Sequence, residues 1–521
     1  MERIIELLDT TLRDGAQGGG VEHSLEDKRK IAGLLDRLGV PLIEGGNPGA
    51  NPKDEAFFAL ARRAPFLSGA VLVPFGSTCR AGADPADDPA LAALVNAGQP
   101  VVSVFGKADV RQVRDVLRVT PQENLRMIEQ SVAFLRARGL RVLFDAEHFF
   151  DGALTERDYA FEALRAAARG GADTLVLCDT RGGSMPEAMR ARTAEVRAAF
   201  DGVKVGIHCH DDMGLAVAGS LACVDAGASM AQVTVGGVGE RCGNACLGTL
   251  LPTLQLKLGY RVIPPQNLPL LTQTSREIVE IMNLTPNPRA PYVGYGAFSH
   301  KGGMHIDGVV KDEASFEHVP PEAVGNRRRF LLSDQAGRAG VYARLKRLVP
   351  QLERDDPRVK RVTERLKRRE QRGYAYENAD GSFDLMALDT LGLRRRYFEV
   401  LDFHVLSGAA RDERSAQAYI KIRVDGTEEI NAAEGDGPVN ALDLALRKAL
   451  RVFYPATEQM RLSDFKVRVI NAGGTASVVR VLIESTDGRQ AWSTTGVSSN
   501  IIHACLMALM DSVEYFLAFV A

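Results

Sequence analysis

The sequence lacks most features of secreted and membrane proteins. Its 521 residues contain only seven cysteines, an odd number without regular spacing, which indicates reduced thiols rather than a disulfide scaffold. It has no uninterrupted apolar run near the roughly 18 residues that a membrane span requires, and its first residues lack the apolar core and cleavage site of a secretory signal. We therefore expect a soluble cytoplasmic protein that does not act at a membrane.

An excess of charge of either sign is also missing. The 64 Lys and Arg residues nearly balance the 66 Asp and Glu residues, so the formal net charge is −2. Such a chain has no general positive field to hold a polyanion, and its basic stretch at residues 361–372 alternates with Glu364 and Glu370, as a solvated helix face does. We therefore expect no nucleic-acid partner. The 45% apolar and 25% charged composition is that of ordinary globular domains.

Regularly spaced apolar runs dominate the first half of the chain. The candidate strands are residues 4–8, 41–43, 70–75, 101–105, 141–144, 174–178, 203–207 and 231–235. Segments rich in Ala, Leu, Arg and Glu separate them and are typical of helices. This alternation predicts a closed (β/α)₈ TIM barrel with its active-site face at the carboxyl ends of the strands. The alternative is an open doubly wound sheet, but the glycines at 18–20 lack the G-x-G-x-x-G spacing that such a sheet requires.

The pattern changes after the eighth run. Closely spaced prolines interrupt the chain between residues 286 and 291, polar helices are expected over residues 336–372, and strand-like runs with two helical segments follow. We predict a TIM barrel over residues 1–284, a helical linker subdomain over residues 285–390 and a C-terminal α+β regulatory module over residues 391–521.

Two histidines at the end of the seventh candidate strand are placed to share a ligand. His208 and His210 are two positions apart, so in extended chain both imidazoles can face one metal ion while Cys209 faces away. Asp14, after the first strand, and Asn244, after the eighth, can join them because strands one, seven and eight are neighbours in a closed barrel. Such nitrogen and oxygen ligands suit zinc, manganese or magnesium and leave positions for substrate oxygens.

Each of these residues also has an ordinary structural explanation. Asp14 can cap a turn and Asn244 can occupy a turn position with positive φ, so only their joint placement favours a metal site. Cys242 and Cys246 do not provide an alternative, because a thiolate site needs more ligands at short spacing. Arg13, beside Asp14, can stabilise an oxyanion on a metal-bound carbonyl or form a surface salt bridge.

Five segments together resemble the acyl-CoA Claisen-condensing family of 2-isopropylmalate, homocitrate and citramalate synthases. They are residues 9–17 (DTTLRDGAQ), 144–149 (FDAEHF), 177–180 (LCDT), 208–216 (HCHDDMGLA) and 239–245 (GERCGNA). The citramalate synthase branch is specifically similar at residues 43–46 (IEGG), 75–78 (FGST), 105–107 (FGK) and 324–329 (VGNRRR). The resemblance covers essentially the whole chain.

The resemblance implies a metal-dependent homodimeric enzyme that joins acetyl-CoA to a 2-oxo acid and binds an end-product amino acid at its C-terminal domain. The implied metal ligands are Asp14, His208, His210 and Asn244. Arg13 matches the arginine that polarises the 2-oxo acid, whereas Glu147 and Thr180 match residues that contact the keto acid and the reacting carbons. His305 matches a catalytic histidine that a neighbouring subunit supplies. Without the resemblance, Glu147 is better explained by a loop salt bridge and His305 by a polar loop position.

In the citramalate branch the implied reaction converts acetyl-CoA, pyruvate and water to citramalate and CoA, as in isoleucine biosynthesis. The sequence departs from that branch at Asn47, where it usually has Trp, at Asp211 (Asn), at Met213 (Ser) and at Phe316 (Tyr). The alternative is therefore the same condensation on another 2-oxo acid, giving 2-isopropylmalate, homocitrate or an analogue. A carbon–carbon lyase and a non-catalytic metabolite sensor are weaker alternatives, because the C-terminal domain is long and the candidate site residues are present.

Overall fold

The computed structural model describes residues 3–331, 338–408, 416–471, 477–488 and 490–521. The chain forms two compact units, Met1–Phe298 with Val319–Arg327, and Ser299–His318 with Arg328–Ala521. The first two residues of the helical stretch expected from residue 336 lie outside the described part of the chain.

Parallel strands of the first unit close into a barrel in their sequence order. They are β1 (Glu6–Asp9), β2 (Leu42–Gly46), β3 (Val71–Ser77), β4 (Val101–Lys107), β5 (Arg141–Glu147), β6 (Thr174–Asp179), β7 (Lys204–Cys209) and β8 (Met230–Val233). Glu6 of β1 lies opposite Met230 of β8, and this pairing closes the ring. The predicted TIM barrel is confirmed, and each of the predicted apolar runs overlaps one strand.

Helices follow the strands around this unit. They are α1 (Leu25–Leu38), α2 (Pro52–Arg63), α3 (Pro89–Asn96), α4 (Pro121–Arg136), α5 (Phe149–Thr155), α6 (Arg157–Gly170), α7 (Pro186–Ala199), α8 (Ala216–Asp225), α9 (Leu247–Pro252) and α10 (Leu271–Ile281). Local sequence sets their ends. At α1, Ser24 and Asp27 form a capping box, and Gly39 adopts a left-handed φ of 97° after the last turn.

The side chains that point into the barrel form two layers along the strands. The apolar layer includes Leu8, Leu42, Val73, Val101, Leu143, Val176 and Met230. Two residues further along four of these strands, on the same side, stand buried polar groups, namely Glu44, Ser103, Asp145 and Gln232. The apolar layer therefore fills the barrel, and the polar layer leads to the carboxyl ends of the strands.

The second unit contains paired short strands, helices and two three-stranded antiparallel sheets. Its elements are β9 (Ser299–His300), α11 (Gly303–Lys311), β10 (Arg329–Phe330), α12 (Arg338–Leu348), α13 (Pro357–Gln371), α14 (Asp380–Leu391), β11 (Glu399–Ser407), β12 (Ala416–Val424), β13 (Thr427–Gly435), α15 (Pro438–Arg451), β14 (Arg461–Val469), β15 (Val479–Thr486), β16 (Ala491–Ser498) and α16 (Ile501–Phe519). Each sheet is followed by a helix, so the predicted α+β arrangement with two similar halves is confirmed.

The sequence reasoning missed β13 and β16, the third strand of each sheet. β13 is polar along most of its length, which removes the apolar alternation that identifies a strand. An Asp-Gly turn was the available signal, because Asp425 and Gly426 both adopt positive φ, 46° and 86°, as a tight hairpin requires. Gly488 similarly has a φ of 88° in the turn before β16.

α16 is the one described helix that is long and apolar enough to cross a membrane by length and composition alone. Half of its apolar window is buried inside the fold, where Phe516 packs on Trp492 with ring centres 5.6 Å apart. The helix therefore packs against β15 and β16 and contributes to the hydrophobic core of the C-terminal sheets.

Candidate metal centre

A buried cluster of three metal-ligand side chains lies where β1 and β7 end. Asp14 follows β1, His208 is the penultimate residue of β7, and His210 lies just beyond it. The Asp14 Oδ2 atom is 3.7 Å from Nε2 of His208 and 3.9 Å from Nε2 of His210. One ligand atom from each residue lies within 4.8 Å of the other two. This separation allows all three side chains to bind a single ion.

Asn244 joins the cluster from the loop after β8. Its Nδ2 donates a hydrogen bond to Asp14 Oδ1 at 3.0 Å, and a β-bridge links its backbone to that of His210. Its Oδ1 and the Nδ1 of His210 are buried and have no hydrogen-bond partner among the described residues. Two imidazoles, a carboxylate and an amide oxygen form a donor set that fits a divalent cation.

Glycines allow the loop after β8 to fold onto the cluster. Gly243 has a φ of 89°, and a Cβ there would lie 1.8 Å from the carbonyl oxygen of Gly237. A Cβ on Gly239, whose φ is 154°, would lie 2.1 Å from Nδ2 of Asn244. Only glycine fits at these two positions, so the motif at residues 239–245 encodes the placement of Asn244.

The electrostatics keep the cluster in the form that binds metal. Burial, together with the neighbouring His210, lowers the pKa of His208 to about 3, and burial also lowers that of His210, so both rings are neutral near pH 7. Burial alone would raise the pKa of Asp14, but Arg13 and the two histidines outweigh it and hold that pKa below its usual range. Neutral imidazoles beside an ionised carboxylate are the protonation states that a metal ion requires.

Arg13 is fixed at the edge of the cluster by two carboxylates. Its Nη1 lies 3.0 Å from Asp14 Oδ2, and its Nε lies 2.5 Å from Glu44 Oε2. The guanidinium carbon also lies 3.8 Å from the centre of the Phe75 ring. The side chain is mostly buried, so the exposed surface salt bridge considered from the sequence does not describe it. A planar cation held on both sides is suited to recognise an oxyanion beside the metal ligands.

Glu147 and Thr180 end neighbouring strands at the same face of the barrel. Glu147 closes β5, and its Oε2 lies 2.5 Å from Nζ of Lys107. The Thr180 hydroxyl, just after β6, accepts a hydrogen bond from the His148 backbone at 2.8 Å. Each side chain therefore has a local partner, which holds it at the mouth of the barrel.

His305 belongs to the second unit. It lies in the first turn of α11, where its ring stacks on Phe316 with centres 4.4 Å apart and an interplanar angle of 21°. Phe316 therefore contacts a candidate catalytic residue directly.

The sequence reasoning did not single out two buried acids near the carboxyl ends of β1 and β5, Asp9 and Asp145. Burial, with Glu44 nearby, raises the pKa of Asp145 to about 7, and burial raises that of Asp9 to about 7. Nε2 of Gln232 donates to both oxygens of Asp145, at 3.1 and 3.2 Å. The signal in the sequence was an acid or amide placed within an otherwise apolar parallel strand, as in LIEGG and MAQV.

The seven cysteines are all unpaired, as their number and spacing predicted. The metal-type cluster among the described residues contains no thiol. Burial raises the pKa of the Cys246 thiol, so this residue offers no ready thiolate to the site, and Cys242 is exposed.

Comparisons with known families cover most of the chain. The HMGL-like family model matches residues 4–278. The "homocitrate synthase post-HMGL domain-like" model matches residues 292–373, and the "LeuA allosteric (dimerisation) domain" model matches residues 377–517.

Curated relatives align from end to end. An (R)-citramalate synthase of Aquifex aeolicus is 46% identical, covering 99% of this chain and 98% of that one, and another of Synechocystis is 46% identical over 98% and 95%. A probable 2-isopropylmalate synthase of Methanopyrus kandleri is 31% identical over 98% of both chains. The metal-ligand cluster, the closed barrel and these full-length matches agree, and the chain belongs to the HMGL-like family and to that of the (R)-citramalate synthases.

Proposed function

We propose that this enzyme condenses acetyl-CoA, pyruvate and water to citramalate and CoA. The observation that carries the proposal is the position of Arg13 beside the cluster of Asp14, His208 and His210, at the carboxyl face of the barrel. The higher identity to (R)-citramalate synthases than to the 2-isopropylmalate synthase supports pyruvate as the acceptor.

The proposed metal ligands are Asp14, His208, His210 and Asn244. When bound there, zinc, manganese or magnesium would supply Lewis-acid polarisation of the acceptor carbonyl. Arg13 would donate hydrogen bonds to the acceptor and stabilise the negative oxygen that develops as the new carbon–carbon bond forms. Its ion pairs with Asp14 and Glu44 orient it before the substrate arrives.

The other proposed site residues bind the acceptor and move the proton. Thr180 and Glu147 would contact the 2-oxo acid and the reacting carbons from the ends of β6 and β5. A base, His305 or the carboxylate region around Glu147, would remove a proton from the methyl group of acetyl-CoA. The resulting carbanion would attack the carbonyl carbon of the acceptor, and the alkoxide so formed would take up the proton that the base removed. Water would then cleave the thioester to release CoA and make the reaction irreversible.

We also propose the assembly and organisation that accompany this activity. The barrel would occupy residues 1–284, the linker subdomain residues 285–390 and the allosteric domain residues 391–521. The match to a LeuA dimerisation domain supports a homodimer in which His305 acts on the partner's barrel. We propose the cytoplasm as its location, where acetyl-CoA and reduced thiols are both available.

A panel of acceptors tests the reaction. CoA release is measured with a thiol reagent after adding acetyl-CoA, a divalent metal and pyruvate, 2-oxobutanoate, 2-oxoisovalerate or 2-oxoglutarate, and the product is identified by mass. We expect kcat/KM for pyruvate to exceed that of the others by at least about tenfold, because a pocket shaped for a methyl group discriminates against each added carbon. If none of the acceptors gives CoA release, the condensation is contradicted. If another acid is preferred, only the choice of pyruvate is contradicted.

Local hydrogen bonds explain two of the four residues at which the sequence departs from the citramalate branch and which suggested a different acceptor. Oδ1 of Asn47 accepts a hydrogen bond from the Gly49 backbone at 3.1 Å, and Oδ1 of Asp211 accepts one from the Ala216 backbone at 2.8 Å. These side chains shape the loops after β2 and β7. The alternative acceptors remain part of the panel because Met213 and Phe316 are exposed.

We further propose an amino-acid effector pocket in the C-terminal sheets. A cavity of about 380 Å³ is lined by Val439, Asn440, Asp443, Arg447, Arg461, Leu462 and Phe465. Arg447, on the same helix as Asp443, donates hydrogen bonds to both carboxylate oxygens of Asp443, at 3.1 and 2.5 Å. We propose that this carboxylate also binds the ammonium group of an amino acid and that Arg461 binds its carboxylate, while the apolar lining suits the side chain of isoleucine.

Replacing Asp443 by asparagine is expected to raise the isoleucine concentration for half-inhibition at least about tenfold, since a charge-assisted hydrogen bond is lost. The catalytic constant without isoleucine should stay unchanged. Asp464→Asn, at an exposed ion pair with Lys466 on β14, is the control that should leave inhibition unchanged. Equal inhibition of Asp443→Asn and the unsubstituted enzyme would place the effector elsewhere.

A further inference from the structure

A buried lysine joins the two segments that carry the Arg13–Glu44 ion pair. Nζ of Lys28, on α1, donates hydrogen bonds to the carbonyl oxygens of Leu12 at 3.1 Å and of Gly45 at 2.9 Å. Leu12 directly precedes Arg13, and Gly45 directly follows Glu44. One cation therefore fixes the backbone on both sides of that ion pair.

Asp54 completes the arrangement from α2. Its Oδ1 lies 2.5 Å from Nζ of Lys28, and its Oδ2 accepts a hydrogen bond from the backbone of Asn47 at 2.8 Å. A Cβ on Gly46, whose φ is 131°, would come within 2.3 Å of this carboxylate, so the loop after β2 folds tightly over it. Lys28 and Asp54 are 3% and 5% exposed. Each charge is thus satisfied by the other and by backbone groups that lead to the site.

We propose that Lys28 and Asp54 are positioning residues for Arg13, an inference that rests on the proposed role of Arg13 in the condensation. Neither side chain belongs to the metal-ligand cluster. Their effect passes through Leu12 and Gly45, whose carbonyls are held next to Arg13, in the loop after β1, and next to Glu44, within β2. Without this link the guanidinium can still pair with Glu44, but its position relative to Asp14 is no longer fixed by the backbone.

The double variant Lys28→Met/Asp54→Asn removes both charges, so it leaves no unpaired buried ion. We expect it to fold, with kcat/KM for the 2-oxo acid lowered at least tenfold and KM for acetyl-CoA within twofold. In an Arg13→Lys background the same double change should lower kcat/KM by less than a further twofold, because the guanidinium that Lys28 and Asp54 position is already absent. The control Arg141→Met/Glu6→Gln removes a bidentate ion pair between the amino ends of β5 and β1. It should affect thermal stability and leave both kinetic constants unchanged.

Hydrogen exchange measured by mass spectrometry separates this inference from the proposed reaction. In the metal-loaded enzyme, the double variant should speed exchange at least tenfold in peptides covering residues 10–15 and 44–48, and the control should not. Unchanged exchange there, kinetic constants within twofold of the unsubstituted enzyme, or a full additive loss in the Arg13→Lys background would each overturn the positioning role. An unsubstituted enzyme that releases no CoA overturns the proposed reaction instead, while exchange still decides whether Lys28 fixes the two segments.

Discussion

Replacing His208 by alanine is expected to abolish metal-dependent condensation. In the proposed site the ring would supply one of the two neutral nitrogen ligands, and the cluster contains no third imidazole among the described residues. Loss of metal polarisation removes several kcal/mol of transition-state stabilisation, and about 4 kcal/mol corresponds to roughly a thousandfold in rate. CoA release and the metal content of the purified protein measure the effect.

Cys209 provides a matched control for this change. It is the next residue on β7, is 1% exposed and faces the core between strands and helices rather than the barrel interior. Cys209→Ala should keep the metal content and the rate, with a modest loss of stability from the small cavity. Normal activity and metal content in His208→Ala would remove the metal assignment.

Arg13→Lys is expected to lower kcat about a hundredfold or more, the range seen when one donor to a developing oxyanion is lost. Lysine keeps the positive charge near Glu44, which avoids a buried unpaired carboxylate, but it cannot contact Glu44, Asp14 and a substrate oxygen through one rigid plane. The metal content should be unchanged, because Arg13 is not a ligand. Steady-state kinetics with pyruvate and metal analysis of the same sample test both expectations.

An arginine-to-lysine substitution at an exposed site serves as the control. It shows whether the loss of kcat depends on the position of Arg13 or follows from any such substitution. Arg29 pairs with Glu26 on the surface of α1, with both side chains about half exposed. Arg29→Lys should change neither kcat nor stability appreciably, because such exposed pairs contribute little. A kcat for Arg13→Lys equal to that of Arg29→Lys would contradict the oxyanion role.

The two expected losses differ in what they leave behind. His208→Ala removes the ion together with its chemistry, whereas Arg13→Lys leaves the ion and removes the donor beside it. Because Arg13 also helps to hold the pKa of Asp14 low, the lysine variant tests whether a charge alone maintains the ionised carboxylate. Retained metal in Arg13→Lys and lost metal in His208→Ala together would assign separate roles to the two residues.

Much of the site was predictable because it depends on local spacing. His208 and His210 lie on one side of a strand by the period of two, and their position at a strand end placed them at the active-site face of a barrel. The barrel was itself predictable from repeated apolar runs. β13 escaped prediction because its exposed polar face carries no apolar alternation.

The sequence by itself indicated where the barrel strands lie, to within three residues at their carboxyl ends, and that the strands form a closed ring. Only the tertiary structure decided which of their side chains meet, since Asp14 and Asn244 are separated by 230 positions and come within 3.0 Å through barrel closure. The contacts of Glu44, Asp145 and Lys28 near the cluster emerged only from the tertiary structure. Their importance follows from burial and from the groups they contact, and these depend on how distant segments pack, which no local periodicity encodes.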